Sequence, residues 1–292
     1  MKHTISEPGL APKTIAVFLD ASSSGKKRAI HAGFLAQRWG AHLVGVHGVV
    51  AEVALPASMC NARGGQALRQ VIAYKRRLAS DAATATARVN EHFRDLCAEL
   101  RVSGELRLIG QIHSAKEAVR IAFHSDLVVV GHPEPNGLPG NLSVQKLLLA
   151  SGAPILIVPN DWEGESIGTN VLIGWNATRE ARRAVTDAMA FLVAAKSVTV
   201  LVIDADERHQ TDKDRGSEIA LCLDRHGAHV DLEQTVSRGF SIPAVLLGYA
   251  EQSASDLLVV GAYSHARFKE VLLGGTTRTL LLHTAMPTFM SR

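Results

Sequence analysis

The sequence has few aromatic residues and no long apolar run. Phe, Trp and Tyr make up 5% of the 292 residues, which argues against a surface that stacks the bases of single-stranded nucleic acid. Apolar runs such as residues 127–130 are far shorter than the roughly 18–20 residues that cross a bilayer. The first 14 residues contain no apolar stretch of the secretory kind. We therefore expect a cytoplasmic protein with no membrane partner.

Cysteine and net charge are also scarce. Cys60, Cys97 and Cys222 form no C-x-x-C pair, and the 13 histidines are scattered, so neither a disulfide framework nor a metal site is expected. The net charge is +3. Three basic clusters lie among alanines on predicted helices: residues 26–28, residues 75–77, and Arg179 with Arg182 and Arg183. They are interpreted as solvated helix faces, and no nucleic-acid partner is expected.

What the chain does contain is an internal repeat. Residues 125–131 read SDLVVVG and residues 255–261 read SDLLVVG. Each is an apolar run that ends in glycine, as buried parallel strands do. Strand and helix patterns around the two copies also correspond, from residues 15–20 and 171–176 onward. The repeat predicts two domains, residues 1–160 and 161–292, joined by a polar linker at 160–169.

Alternating strands and helices indicate an α/β fold. Each domain is predicted to be a Rossmann-like, open five-stranded parallel sheet with helices on both faces. Thr178, Ser241 and Ser143 are expected at helix N-termini. Any ligand should lie beyond the carboxyl ends of the strands. The first domain also has a loop at 51–65 and a long helix at 66–100, which either form an ordinary exposed extension or reach a partner.

The segment from Gly261 to His283 is the strongest candidate for chemistry. A strand ends at Gly261, and Gly274, Gly275 and Thr276 open a helix. Free backbone N–H groups and the helix dipole favour an anion at such a helix start, with phosphate as the natural ligand. The alternative is that the glycines only permit a tight turn.

These residues resemble the motif of the universal stress protein family, G-x2-G-x9-G-(S/T), which follows the fourth strand. Ser264 replaces the second glycine, and Gly275 precedes the hydroxyl residue Thr276. The resemblance extends to both repeats and implies tandem adenine nucleotide alpha hydrolase-like domains. In nucleotide-binding members this motif holds ATP, with or without Mg²⁺. The residues implied to bind an adenine nucleotide here are Asn176, Val202, Ile203, Gly261, Ser264, His265, Arg267, Gly274, Gly275 and Thr276.

The first domain departs further from the family motif. Asp20 matches the family's aspartate near the adenine, but three prolines interrupt the loop after Gly131. Asn141 and Leu142 stand where the second domain has glycines, and Glu134 would repel phosphate. We interpret this half as a degenerate copy without a nucleotide. A different anion nest at Gly137 and Gly140 is the alternative.

No nucleophile or P-loop motif is present, so no catalytic residue is predicted. Three hypotheses remain: a regulatory protein of the stress response that binds ATP in its second domain, a nucleotide-free interaction scaffold, and a nucleotide hydrolase. Exposed sheet edges tend to be paired or covered, and in the family that this chain resembles the final strands pair between subunits. The resemblance therefore implies that the final strands of the two domains pair within the chain as a pseudo-twofold dimer. Two chains could then form a homodimer.

Overall fold

A computed structural model of the chain describes residues 11–49, 65–110, 114–140, 142–204, 210–262 and 275–292. The strands are β1 Thr14–Leu19, β2 His42–Gly48, β3 Gly104–Ile109, β4 Leu127–His132, β5 Ile155–Pro159, β6 Asn170–Trp175, β7 Ser197–Ile203, β8 Val230–Thr235, β9 Leu257–Gly261 and β10 Thr288–Ser291. The helices are α1 Ser23–Trp39, α2 Gly65–Leu100, α3 Ser114–Phe123, α4 Val144–Ser151, α5 Arg179–Asp187, α6 Met189–Ala194, α7 Gln210–Arg225, α8 Ile242–Gln252 and α9 Gly275–His283.

The strands form one sheet of ten in the order β3-β2-β1-β4-β5-β10-β9-β6-β7-β8. Within each half the strands are parallel and share the order three, two, one, four, five. The α/β class, the parallel strands and the helices on both faces are as predicted.

The two halves meet at their last strands. β5 and β10 pair antiparallel, with Leu156 opposite Phe289. This is the pairing within one chain that the sequence predicted, and it turns two five-stranded sheets into a single ten-stranded one. The domain bounds at 160 and 161 remain a prediction.

Apolar side chains alternate between the two faces of the sheet, as period-two strands require. One core contains Ile15, Val17 and Leu19 with residues of α1, α2, α5, α6 and α7. The other contains Ala16 and Phe18 with residues of α3, α4, α8 and α9. Among the described residues, no helix combines the length and the apolar character needed to cross a membrane.

The aspartates of the sequence repeat have the same task in both halves. Asp126 accepts hydrogen bonds from the backbone N–H groups of Lys13 and Thr14, at the start of β1. Asp256 accepts from Gly168, Thr169 and Asn170, at the start of β6. Both lie at the amino ends of the strands. The repeat therefore preserves a contact that holds adjacent strands together, away from the edge where ligands are expected.

The long helix α2 begins within one residue of its predicted start. Its last turns contribute Val89, Phe93 and Leu96 to the core. Its first turns are exposed, and Leu68 is 62% and Ile72 is 43% accessible. The middle of α2 stands beside the carboxyl ends of the first-half strands, so it forms a wall at that edge. The predicted loop at 51–65 lies outside the described residues except for Gly65.

Candidate functional sites

The predicted nucleotide site of the second half is described at its strand ends. Asn176 directly follows β6, Val202 and Ile203 end β7, and Gly261 ends β9. β6 pairs with both β7 and β9, so these ends lie side by side at one edge. Ser264, His265, Arg267 and Gly274 lie outside the described residues, and their role stays a prediction.

Gly275 and Thr276 are the first two residues of α9, and both are exposed. β9 and β10 are parallel, so the helix between them runs back along the sheet. Its N-terminus therefore lies at the carboxyl edge, where Asn176 and Val202 end their strands. The first N–H groups of a helix have no acceptor within it. No heavy atom would lie within 4 Å of a Cβ at Gly275.

Two of the residues predicted to bind a nucleotide, Gly261 and Asn176, also have structural roles. A Cβ at Gly261 would lie 2.4 Å from the backbone nitrogen of Ala181, so this glycine lets the first turn of α5 pack on β9. The Oδ1 atom of Asn176 accepts a hydrogen bond from the Thr178 hydroxyl at 2.8 Å. Thr178 caps α5 by accepting from the Ala181 N–H, as predicted. Both residues thus shape the start of α5.

The first half has a cavity of about 590 Å³ at its own carboxyl edge. It lies between the ends of β1, β2 and β3, the loop after β4, the start of α3 and the wall formed by α2. Its lining includes both Gly137 and Gly140 of the predicted anion nest. The other lining residues in the part of the chain that the structure describes are Leu19, Asp20, Ala21, His47, Gly48, Val49, Ala82, Ala85, Thr86, Ile109, Gly110, Ser114, Glu134, Pro135, Asn136, Leu138 and Pro139.

A buried arginine fixes the loop that borders this cavity. The Arg28 side chain is 1% exposed. It donates hydrogen bonds to the Phe18 carbonyl at 2.6 Å and to the Pro135 carbonyl and Asn160 Oδ1 at 3.3 Å, and it pairs with Asp20 at 3.2 Å. Burial lowers the pKa of Arg28 below its ordinary value, and the attraction of Asp20 partly offsets this. The loop after β4 is thereby attached to β1 and to the end of β5.

The interpretation of residues 26–28 as a solvated face is therefore wrong for Arg28. A helix pattern shows which residues share a face, but not that a distant loop and Asn160 return to that face. The one feature of the sequence that indicates a buried partner for Arg28 is Asp20, eight residues before it. It is tied to the guanidinium and to the Ser22 N–H, so its role in this half is structural.

The comparisons with known proteins identify the second half. A model described as the universal stress protein family matches residues 169–292. This half of the chain belongs to the universal stress protein family. A curated relative, universal stress protein Slr1230 of Synechocystis, is 21% identical over 155 residues, which are 51% of this chain and 50% of that protein. The match thus spans about half the length of that relative.

Solved structures share the fold over nearly the whole chain. A universal stress protein from Archaeoglobus fulgidus superposes with a TM-score of 0.66 at 11% identity, covering 95% of this chain and 96% of that one. A putative universal stress protein from Pseudomonas aeruginosa gives 0.56 at 17%, covering 97% and 94%. At such identities the likeness concerns the fold. The shared fold covers both halves of the chain.

Sequence reasoning missed the polar groups of the first-half cavity. His47, Ser114 and Asn136 are each less than a tenth exposed and line the cavity. In the sequence His47 lies in a largely apolar strand segment and Asn136 in a loop that prolines interrupt, and neither pattern indicates a cavity. The part of the chain that the structure describes contains no group of three His, Cys, Asp or Glu side chains that could hold a metal ion.

Proposed function

We propose that this protein is a regulatory protein of the stress response that binds ATP or another adenine nucleotide at the carboxyl edge of its second half. The observation that carries the proposal is the exposed start of α9 at Gly275 and Thr276. It lies at the same sheet edge as Asn176 and the end of β7.

The geometry suits a nucleotide in two respects. The N–H groups and the dipole at the start of a helix such as α9 favour phosphate oxygens. The strand ends beside it offer an amide side chain at Asn176 and backbone groups at Val202 and Ile203, which can hydrogen-bond to a heterocycle. Val202 is buried and Ile203 half-buried, so a base there would meet apolar surface as well.

Gly275→Asp tests this site directly. The carboxylate would stand close to the nucleotide phosphates, where repulsion of like charges amounts to about 1–4 kcal/mol at 4 Å. We expect ATP affinity, measured by isothermal titration calorimetry, to fall at least about tenfold. The protein should still fold, because there is space for a Cβ at Gly275 and an acid is favourable in the first turn of a helix.

Gly275→Asn is the matched control, since it has the same shape and no charge. Its ATP affinity should stay near that of the parent protein. Equal ATP affinity in the Asp and Asn variants would show that phosphate does not bind at α9. Freshly purified protein without excess absorbance at 260 nm and without affinity for ATP would instead favour the nucleotide-free scaffold, for which the exposed Leu68 and Ile72 of α2 offer a surface.

A further inference from the structure

The two outermost strands of the ten-stranded sheet are β3 and β8, one from each half. β3 pairs with β2, and β8 pairs with β7. Within the residues that the structure describes, neither has a strand on its other side. An outer strand of this kind pairs readily with another chain unless charges, prolines or covering elements prevent it. The outward sides of β3 and β8 are therefore candidate interaction surfaces, far from the proposed nucleotide site at α9.

The backbone groups that β3 presents outward follow from its pairing with β2. The carbonyls of Ser103 and Ile109 accept hydrogen bonds from N–H groups on the β2 side. Backbone groups of successive residues in a strand point to opposite sides, so the odd-numbered residues of β3 bond to β2. The N–H and C=O groups of Gly104, Leu106 and Leu108 therefore point away from the sheet and can bond to a further strand.

A second copy of β3 fits this outward side. In an antiparallel pair with a twofold axis at Leu106, Leu106 lies opposite Leu106 of the second copy, and Gly104 lies opposite Leu108 of the second copy. These are the outward-facing residues, and each such pair exchanges two hydrogen bonds. Glu105 then lies opposite Arg107 of the second copy, in a non-hydrogen-bonded pair, where facing side chains approach most closely. The strand thus presents opposite charges to its own copy.

The charged side chains of β3 are placed to make these contacts. Glu105 and Arg107 share one face of the strand, and their side chains are 48% and 50% exposed. Nε of Arg107 donates to Oε1 of Glu105 at 2.7 Å. Across the twofold axis, two glutamates and two arginines would alternate in sign. Opposite charges directly across two strands stabilise their pairing.

The other face of β3 is apolar. Leu106 is half-buried and packs against the core beneath α2. Leu108 is 53% exposed, although it is a large apolar residue in a strand. Opposite it, Gly104 of the second copy has no side chain and leaves room for the leucine. Pairing would therefore bring Leu108 close to Leu106 of the second copy and cover apolar surface.

The outer strand of the second half has the same geometry and the opposite electrostatics. The carbonyls of His229 and Thr235 accept from the β7 side, so Leu232 points outward as Leu106 does. Asp231 and Glu233 occupy the positions of Glu105 and Arg107. An antiparallel pair of two β8 strands would therefore place Asp231 opposite Glu233, and like charges across two strands repel. A single difference in charge makes one outer strand self-complementary and the other self-repelling.

We infer that the outward side of β3 is an interface through which two copies of this chain pair antiparallel and symmetrically. Their sheets join into one, and the interface uses the same patch on both copies, so the assembly closes at two chains. The acidic β8 strands then lie at the two ends and oppose further growth. A single short ladder makes a small interface, so we expect a reversible dimer with a dissociation constant roughly in the micromolar range.

Charge reversal on β3 tests the interface in the full chain. Sedimentation velocity over a concentration series spanning the micromolar range should show a monomer–dimer equilibrium for the parent protein. Arg107→Glu and Glu105→Arg should each weaken the dimer about tenfold or more, because both attractive pairs become repulsive. Arg182→Glu is the matched control, since it makes the same change of charge as Arg107→Glu on the exposed face of α5. It should leave the dimer unchanged.

Mixing the two β3 variants separates a lost charge pair from a damaged fold. Arg107→Glu carries two glutamates on β3 and Glu105→Arg carries two arginines, so an equimolar mixture should dimerise at concentrations where each alone is monomeric. The chain with both substitutions should dimerise like the parent, because its charges are exchanged but still complementary.

Four results would each overturn the inference. They are a parent protein that stays monomeric across the series, an Arg107→Glu variant that dimerises as tightly as the parent, a mixture of the two variants that stays monomeric, and growth of the parent assembly beyond two chains. None of these results depends on the proposed nucleotide. Gly275→Asp should lose ATP affinity and keep the dimer, whereas Arg107→Glu should lose the dimer and keep ATP affinity.

Discussion

The two halves of this protein share one backbone plan but present different chemistry at their carboxyl edges. His47 lies opposite Leu19 in the strand register, and Val202 lies opposite Trp175 in the same way. The first half thus places an imidazole where the second half has an isopropyl group. Asp20 likewise corresponds to Asn176, each directly after the first strand of its half. The ligand preferences of the halves can therefore diverge without any change of fold.

The most deeply buried difference between the halves is in the first helix of each. Arg28 stands at the same distance from the N-cap Ser22 as Ala184 does from the N-cap Thr178. Ala184 is 1% exposed and packs in the core. The guanidinium of Arg28 instead lies against Gly131 and holds the loop that follows β4. One buried cation can therefore hold a loop that differs between the halves on a sheet that both halves share.

The largest expected effect follows from removing that cation. Arg28→Leu removes the Arg28 donor from the Phe18 carbonyl, Asn160 Oδ1 and Asp20 Oδ2 and leaves the Asp20 charge without its cation, so the free energy of unfolding should fall by about 3–5 kcal/mol. Urea denaturation followed by circular dichroism measures it. Arg77→Leu, which removes an exposed pair with Asp81 on α2, should cost at most about 0.5 kcal/mol. Similar losses in both variants would refute a special role for Arg28.

The repeated aspartates allow a comparison at the opposite edge of the sheet. Asp256→Ala leaves three backbone N–H groups without their acceptor, and Asp126→Ala leaves two. We expect the free energy of unfolding to fall by about 2–4 kcal/mol for Asp256→Ala and about 1–2 kcal/mol for Asp126→Ala. The same denaturation experiment measures both. The reverse order would mean that the shared contact does not govern strand docking.

The glycines of the first-half loop provide a closer test. Gly137 has a φ of +80°, and a Cβ there would lie 2.4 Å from the carbonyl group of Phe18. Gly137→Ala should therefore lower the free energy of unfolding by about 1–3 kcal/mol. Gly140→Ala meets no atom within 4 Å and should change it by no more than about 0.5 kcal/mol. If both variants unfold alike in thermal melts, the loop does not pack on β1 as described.

Much of the fold could be predicted because its signals are local. Short apolar runs, two of them ending in glycine, indicate the strands. The hydroxyl groups of Thr178, Ser143 and Ser241 cap the helices whose N-termini the sequence predicts at these residues. The pairing of β5 with β10 is implied by the resemblance to the family together with the need to cover two exposed edges.

The candidate sites were less predictable, because their contacts join residues far apart in sequence. The bonds from Arg28 to Pro135 and Asn160 span more than 100 residues, and no periodic pattern encodes them. The imidazole of His47 points to a cavity whose other walls come from α2, α3 and the loop after β4. A strand pattern gives the face on which such a residue lies, but not the elements that close over it.

The smallest expected effect concerns an acid that only the second half carries. Glu180 is 4% exposed. The equivalent position in α1, two residues after the N-cap, is occupied by Ser24. Burial raises the pKa of the Glu180 carboxyl, but the hydrogen bond from Arg179 and attraction to Arg179 and Arg292 outweigh burial and hold that pKa below its ordinary value. A lowered folded-state pKa stabilises the protein above the unfolded pKa and loses that contribution as pH falls through the folded value. We expect Arg179→Met to lower the urea midpoint slightly at neutral pH, and the difference from the parent protein to shrink as pH falls below the ordinary carboxyl pKa and through the lowered pKa of Glu180. Arg182→Met, on the exposed face of the same helix, is the control, and a difference for Arg179→Met that persists unchanged in acid would show that Glu180 is not its source.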